Sequence, residues 1–210
     1  MNRRRVGLMM MVIGTLAVAA GLGLGLYNLW DSNRAGIQAD AALDAIVQYQ
    51  EMAASNQNTA AVQTEEPEPS KGPDREMPML EIDGLRYIGT VSIPVIDIAL
   101  PVQESWSPAL LGVSPCRYMG SVYERNMIIC GHNYVTHFGR LGNLLPGDRV
   151  IFTDVKGSEF LYVVEEICTI SGMAVEEMQR GDWDLTLFTC NFGGQARITV
   201  RCSLFENDEI

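Results

Sequence analysis

The sequence lacks the features that several common protein classes require. It has no CxxC pair and no internal repeat, and the spacing of its five cysteines matches no compact disulfide framework. It also has no basic stripe with interleaved aromatic residues, and its formal net charge is -11 at pH 7. Such a surface would repel a phosphate backbone, so we expect no nucleic-acid partner. Only two histidines are present, which narrows the choice of a side chain for acid–base chemistry near neutral pH.

Charged residues are also missing from position 6 to about position 27, directly after three arginines at positions 3–5. A helix of about 22 such residues is about 33 Å long, enough to cross the hydrocarbon core of a bilayer. We therefore expect residues 1–30 to be a basic tip and a transmembrane anchor, with the N-terminus cytoplasmic and the rest of the chain extracellular. A cleaved signal peptide is the alternative, because positions 17–19 carry small residues that a signal peptidase accepts, but the apolar run continues through Leu26.

Two further regions follow the predicted anchor. Residues 31–79 are predicted to be a spacer, with a short helix at 39–52 and then a flexible, polar stretch that cannot bury a core. Residues 80–210 contain short runs of Val, Ile, Tyr, Phe and Thr broken by Gly, Pro and Asp, which predicts an all-β sandwich or barrel with short helices. The predicted strands are 87–93, 96–100, 127–130, 148–153, 160–170, 185–190 and 197–204, and the predicted helical pieces are 108–111, 138–144 and 175–179.

The last two predicted strands would bring a thiol and a guanidinium together. If they form a hairpin around the loop at 191–196, Cys190 lies opposite Arg197, and Phe188 lies opposite Thr199. Arg201 shares the face of Arg197 but would sit about 13 Å further along the strand. Arg197 is therefore the better partner for the Cys190 thiol.

An imidazole could join this pair. His132 directly follows the apolar strand at 127–130 and Gly131, so it lies at a strand end, whereas His137 lies in the next loop and is the weaker candidate. A thiol, an imidazole and a guanidinium are the parts of an acyl-transfer site: nucleophile, acid–base group and oxyanion holder. At least one of the five cysteines should be free, and Cys190 is the candidate. Cys130, Cys168 and Cys202 lie in strand-like runs and are expected to be small buried hydrophobes.

Three segments carry a family resemblance: Gly131-His132-Asn133, Thr186-Leu187-Phe188-Thr189-Cys190 and Arg197-Ile198-Thr199-Val200. Their order and setting resemble those of sortases, the membrane-anchored cysteine transpeptidases of Gram-positive surfaces. Residues 89–94, 101–102 and 133–150 are also similar to that family, so the resemblance covers most of residues 86–204.

The resemblance implies a closed sortase-type β-barrel after one transmembrane helix, with Cys190 as nucleophile, His132 as general acid/base and Arg197 as oxyanion or substrate-positioning residue. It further implies a substrate with a sorting signal akin to Leu-Pro-x-Thr-Gly, a thioacyl-enzyme, and transfer to an amine of a peptidoglycan precursor or a pilin lysine. We expect no cofactor and no metal.

Some details depart from common family patterns. The loop between Cys190 and Arg197 has six residues, fewer than in many sortases, and no convincing Asp-Pro-aromatic lid motif precedes the barrel. The subclass, the sorting motif and the acceptor amine are therefore left open, although a lid-bearing type that polymerises pilins fits less well.

Other functions remain as alternatives. An L,D-transpeptidase uses the same side chains, but Phe188 stands where its motif has histidine. A zinc site could use Cys130, His132 and His137, although no fourth ligand is obvious. A membrane-tethered, non-catalytic β-barrel binding module would leave Cys190 merely buried. A calcium site could draw on the carboxylates of Glu104, Glu124 and Asp154.

Overall fold

The computed structural model describes residues 3–59, 76–191 and 193–206, and their contacts divide the chain into two units, Met1–Arg34 and Ala35–Ile210. The helices are α1 Arg3–Thr59, α2 Pro108–Leu111 and α3 Val175–Gln179, with 3₁₀ turns at Pro94–Ile96 and Phe138–Asn143. The strands are β1 Leu80–Ile82, β2 Leu85–Ile93, β3 Ile98–Gln103, β4 Cys116–Met119, β5 Met127–Gly131, β6 Arg149–Asp154, β7 Glu159–Ser171, β8 Leu185–Cys190 and β9 Ala196–Leu204.

The first unit consists of the N-terminal part of α1. This part of the helix is apolar and exposed, and an 18-residue window in it has a mean hydropathy of 2.1 with 0% of the window buried. It is long and apolar enough to cross a membrane, so it is a candidate transmembrane span where residues 1–30 were predicted to form the anchor. The direction in which it crosses stays a prediction.

The second unit is built around a closed β-barrel. The strands follow the order β1-β2-β3-β4-β5-β8-β9-β7-β6, and a further pairing of β2 with β6 closes the sheet. Eight strands, β2 to β9, therefore form the barrel, and β1 extends β2 at its edge. The predicted closed barrel is confirmed. Its interior is filled by apolar side chains with little or no exposure, among them Ile88, Val91, Ile129, Phe152, Leu187 and Val200.

Most predicted elements appear within a residue or two of their expected bounds, and those of β8, α2 and α3 match. The strand predicted at 96–100 begins later, at Ile98, because residues 94–96 form a 3₁₀ turn that ends on Asp97 in the left-handed region, with φ of 52°. Strands β1 and β4, which have three and four residues, were not predicted. Such short strands show too little alternation to be detected from sequence.

The second half of α1 belongs to the barrel unit. The predicted short helix at 39–52 is part of this longer helix, which continues to Thr59, because Glu, Met, Ala and Gln after position 50 are good helix formers. Residues 53–59 of the stretch predicted to be flexible are therefore helical, and residues 60–75 lie outside the described residues.

Small side chains let α1 approach the barrel closely. Ala35, Ala39 and Ile46 are fully buried, and Ile46 packs with Tyr87 of β2. The Gln50 amide donates a hydrogen bond of 2.8 Å to the main-chain carbonyl of Asp154. This half of the helix is thus a packed element of the second unit.

Candidate active site

The candidate site lies where β5, β8 and β9 run side by side. In the antiparallel β8–β9 pair Cys190 is the partner of Arg197, and Phe188 is the partner of Thr199. The predicted register of the hairpin is therefore confirmed, with the Cys190 and Arg197 side chains on the same face of the sheet.

The third side chain comes from β5, which runs parallel to β8. Gly131, the last residue of β5, is the partner of Thr189. His132 follows Gly131 as Cys190 follows Thr189, so the parallel register brings the half-buried His132 to the strand end next to Cys190. All three residues singled out from sequence therefore meet at one edge of the barrel.

Local contacts fix the position of His132. The Thr189 hydroxyl donates a buried hydrogen bond of 2.9 Å to the carbonyl of Gly131, and the main-chain N–H of Phe138 donates one of 3.1 Å to the carbonyl of His132. A Cβ at position 131 would lie 2.5 Å from the Phe138 ring. Glycine is therefore required at position 131 if Phe138 is to pack against the strand that carries His132.

The imidazole of His132 stacks on the Tyr134 ring, with a centroid distance of 3.8 Å and an interplanar angle of 13°. The Tyr134 carbonyl accepts hydrogen bonds from the main-chain N–H groups of His137 and Gly139, at 3.0 and 2.9 Å. The stack therefore rests on a tightly folded loop. Sequence reasoning missed Tyr134, because a single aromatic residue in a short loop carries no signal of what it contacts.

His137 is fully buried behind this loop. Burial, and secondarily the charge of His132, lower the pKa of His137 from 6.5 to about 4, while the Ala35 carbonyl acts weakly in the opposite direction. Within the described part of the chain neither ring nitrogen makes a hydrogen bond of good geometry. At neutral pH His137 is therefore a neutral, packed side chain.

The loop between β8 and β9 positions Arg197. Its guanidinium donates hydrogen bonds to the carbonyls of Gly194 and Ala196, at 3.1 and 3.4 Å. The Asn191 side-chain oxygen closes the loop by accepting a hydrogen bond of 3.0 Å from the Ala196 N–H. Gly193 and Gly194 have φ of 110° and 74°, a region that side-chain-bearing residues rarely occupy. The two glycines thus permit the short connection that was noted from sequence.

Arg201 has a structural role away from the candidate site. It pairs with Thr186, away from Cys190, and its buried guanidinium donates hydrogen bonds to the carbonyls of Arg180 and Glu177, at 2.8 and 2.6 Å. These contacts hold the segment around α3 against the barrel. The prediction that Arg201 is the poorer partner for the thiol is confirmed.

A groove of about 200 Å³ opens beside these strands. Its wall includes an aromatic row in which Trp106 lies 5.8 Å from Tyr118, and Tyr118 lies 5.5 Å from Phe188 in an edge-to-face contact. The groove is also lined by Gly131, Cys190 and Arg197 of the candidate site and by the neighbouring Cys130 and Met178. A mostly apolar groove that ends in a thiol and a guanidinium suits an extended peptide with an apolar side chain near its reacting carbonyl.

In this structure all five cysteines are free thiols. Cys130 and Cys202 are buried as expected, whereas Cys168 is half-buried. Burial, and to a smaller degree Glu165, raise the pKa of Cys202 well above its usual value, so Cys202 is an inert core residue. Cys190 is half-buried and lines the groove.

Among the described residues, no group of three or more His, Cys, Asp or Glu side chains lies close enough to hold a metal ion. The three carboxylates considered for calcium have other partners, and that of Glu124 accepts a hydrogen bond of 3.3 Å from the Asn126 amide. Glu104 forms ion pairs with Arg86 and Arg117, at 3.0 and 3.2 Å. Asp154 accepts a hydrogen bond of 2.7 Å from the Tyr123 hydroxyl.

A closed β-barrel with a thiol, an imidazole and a guanidinium at one edge defines a class of protein suited to cysteine-dependent acyl transfer. A family model described as the sortase domain matches residues 91–205, more than half of the chain. The chain therefore belongs to the sortase family, whose known members are transpeptidases.

Solved structures agree with this fold. Sortase A from Corynebacterium diphtheriae, a lid mutant, has 20% identity and a TM-score of 0.52, with 81% of this chain and 97% of that chain covered. Sortase A from Listeria monocytogenes has 20% identity and a TM-score of 0.51, with 57% and 88% covered. Clostridium perfringens sortase C with its C-terminal cell wall sorting motif has 19% identity and a TM-score of 0.51, with 80% and 91% covered. A search of curated proteins finds no match.

Proposed function

We propose that this chain is a cysteine transpeptidase that cleaves a sorting signal akin to Leu-Pro-x-Thr-Gly and transfers the acyl part to an amine. The observation that supports this most is the pairing of Cys190 with Arg197 across β8 and β9, with His132 at the adjoining strand end. Membership of the sortase family fits the same substrate class, as does the likeness to the Clostridium perfringens sortase C that was solved with a cell wall sorting motif.

The first half-reaction starts from a Cys190 thiolate and a His132 imidazolium, and the thiolate attacks the carbonyl carbon before the scissile bond. The oxygen gains negative charge, which the Arg197 guanidinium stabilises by hydrogen bonding. As the C–N bond breaks, His132 gives its proton to the departing amine. The products are a thioester on Cys190, a neutral imidazole and a free amine.

In the second half-reaction an acceptor amine attacks the thioester. His132 takes the proton from the amine as the C–S bond breaks, which restores the Cys190 thiolate and the imidazolium. The acceptor is an amine of a peptidoglycan precursor or a pilin lysine, and the protein substrates are surface proteins with a C-terminal sorting signal. The groove residues Trp106, Tyr118 and Phe188 would contact the apolar part of that signal.

This function requires the barrel to face the cell wall. The candidate span in α1 would anchor the protein as a single-pass membrane protein, with its N-terminus in the cytoplasm and the catalytic domain, predicted at residues 80–210, outside. The exposed apolar side chains of the first unit, such as Leu16 and Leu22 at 64% and 66% exposure, support burial of this segment in lipid.

The test uses the full chain in non-ionic detergent with a panel of Leu-Pro-x-Thr-Gly-like peptides and hydroxylamine as acceptor. We expect a hydroxamate product and, without hydroxylamine, a thioester on the tryptic peptide at 181–197, which contains Cys190 as its one cysteine. Cys190→Ala should give neither. The matched control is Cys168→Ala, which removes another half-buried thiol and should keep the activity.

Equal product from Cys190→Ala and the unchanged chain would refute the assignment of the nucleophile. No acylation with any peptide of the panel would contradict the proposed substrate class and favour the tethered binding module.

A further inference from the structure

Two cysteines outside the proposed catalytic set face each other across neighbouring strands. Cys116 of β4 and Cys130 of β5 are direct partners in an antiparallel pair. By contrast, the strand partners of the other three cysteines are not cysteines: Cys168 pairs with Thr199, Cys190 with Arg197, and Cys202 with Leu185 and Val164.

The geometry of this pair suits a covalent link. Directly opposed residues of antiparallel strands have Cα atoms about 4.5–5.5 Å apart, inside the range of about 4.4–6.8 Å found in disulfides. The side chains of direct partners leave the sheet on the same face, and the Cys130 thiol donates a hydrogen bond of 3.5 Å to the main-chain carbonyl of Cys116. Both residues are buried, at 0% and 3% exposure, and their direct pairing already brings the two backbones to a disulfide-compatible separation.

We propose that Cys116 and Cys130 are a disulfide site, oxidised when the barrel folds on the outer side of the membrane. The proposal rests on the outward orientation in the proposed function, because disulfides persist in extracellular surroundings and rarely in the cytosol. It does not depend on the chemistry of Cys190.

The reaction is a thiol–disulfide exchange. One cysteine, as a thiolate, attacks a disulfide of the oxidant, which is a small-molecule or protein disulfide, and releases the first thiol of that oxidant. The second cysteine then attacks the mixed disulfide, forms the Cys116–Cys130 bond and releases the second thiol. The two cysteines lose two protons and two electrons, and the oxidant is reduced to two thiols.

The environment of the two thiols determines at which stage of folding this exchange takes place. The neighbouring Cys130 side chain and burial raise the pKa of the Cys116 thiol far above its usual value, so Cys116 forms little thiolate in the folded chain and exchanges slowly. Oxidation therefore belongs to the folding phase, before β4 and β5 are covered. Once formed, the bond is shielded from reductants by the same burial.

The bond would lie directly under the proposed site. Cys130 lies on β5 two residues before His132, which follows the end of the strand, and it lines the groove. A link from Cys130 to β4 would tie the strand that carries His132 to a neighbour with which it makes only a short, bulged pairing. It closes a loop of 13 intervening residues and so restricts the unfolded chain.

The test is refolding of the full chain in detergent from denaturant, in an equimolar mixture of reduced and oxidised glutathione, followed by alkylation and trypsin digestion without reduction. The five cysteines fall on five different tryptic peptides, so each pairing has its own mass. We expect peptides 87–117 and 126–140 to be joined, and the other three cysteines to carry the alkyl group.

Two variants sharpen the result. In Cys130→Ala, Cys116 should become alkylated, and the unfolding temperature should no longer fall when reductant is added. Cys202→Ala is the matched control, because it removes an equally buried thiol without a cysteine partner and should keep the joined peptides. Alkylation of both Cys116 and Cys130 in the refolded, unchanged chain, or a main product in which either is joined to another cysteine, would overturn the proposal.

Discussion

The buried His137 should make the barrel sensitive to acid. Its ring is fully buried, and its pKa is lowered from 6.5 to about 4, first by burial and then by the charge of His132. The unfolded chain therefore binds a proton at a higher pH than the folded chain. Stability from this source is present above pH 6.5 and is lost as the pH falls from 6.5 towards 4. A difference of about 2.5 pKa units corresponds to about 3 kcal/mol of unfolding free energy.

The assay is urea unfolding of the full chain in non-ionic detergent, followed by tryptophan fluorescence at several pH values between 7 and 4. His137→Leu replaces the titrating imidazole with an apolar side chain of similar size, and His137→Gln replaces it with a polar side chain that does not titrate. The other ionisable side chains are the same in all three proteins, so the difference between the unchanged chain and each variant isolates the contribution of His137. If the variants lose as much stability as the unchanged chain between pH 6.5 and 4, the reasoning is wrong.

Three further outcomes are expected. Arg197→Lys should lower kcat by about a hundredfold or more, because a single ammonium cannot replace the planar donor set at a developing oxyanion; a rate within threefold of the unchanged chain would contradict this. Tyr134→Ala should lower kcat by about two- to tenfold at nearly constant KM, since ring stacking contributes about 0.5–1.5 kcal/mol. Tyr134→Phe keeps the ring and should restore the rate. Equal loss of rate in both variants would show that the hydroxyl, and not the ring, is needed. A chain cut to residues 80–210 should unfold at a lower temperature than one that begins at residue 31, because burial of the Ile46 side chain alone contributes about 1.5–3 kcal/mol to the free energy of unfolding. Equal melting temperatures of the two chains would refute a packing role for α1.

Local rules account for the part of the site that the sequence alone could predict. The opposition of Cys190 and Arg197 follows from side-chain alternation and a short connection, both of which are local. The approach of His132 to Cys190 depends instead on the parallel pairing of β5 with β8, which joins segments more than fifty residues apart. No periodicity contains that pairing, so sequence reasoning could place His132 at a strand end but could not derive how close it lies to Cys190.

The packing of α1 shows a second limit of sequence reasoning. The helix expected at residues 39–52 contains the large apolar residues Ile46 and Val47, and of these two Ile46 is fully buried whereas Val47 is 41% exposed. The stripe that is buried consists of Ala35, Ala39, Ala42 and Ile46, which also recur at helical spacing. Alanines are ambiguous in a sequence, because they suit an exposed helix as well as a close contact. The contact between these alanines and the barrel is visible only in the structure.

The packing of α1 also bears on how the proposed site is built. A Cβ added at Gly36 would lie 3.2 Å from the Thr136 side chain, so the helix passes very close to the loop that follows His132. The same loop buries His137 and supplies the Tyr134 ring under the imidazole. Because this loop contacts the helix at Thr136 and carries the Tyr134 ring that stacks on His132, we expect a change on the buried face of the helix to reach His132 through the loop. The residues directly after the candidate membrane span are therefore part of the structure that orients the proposed acid–base group.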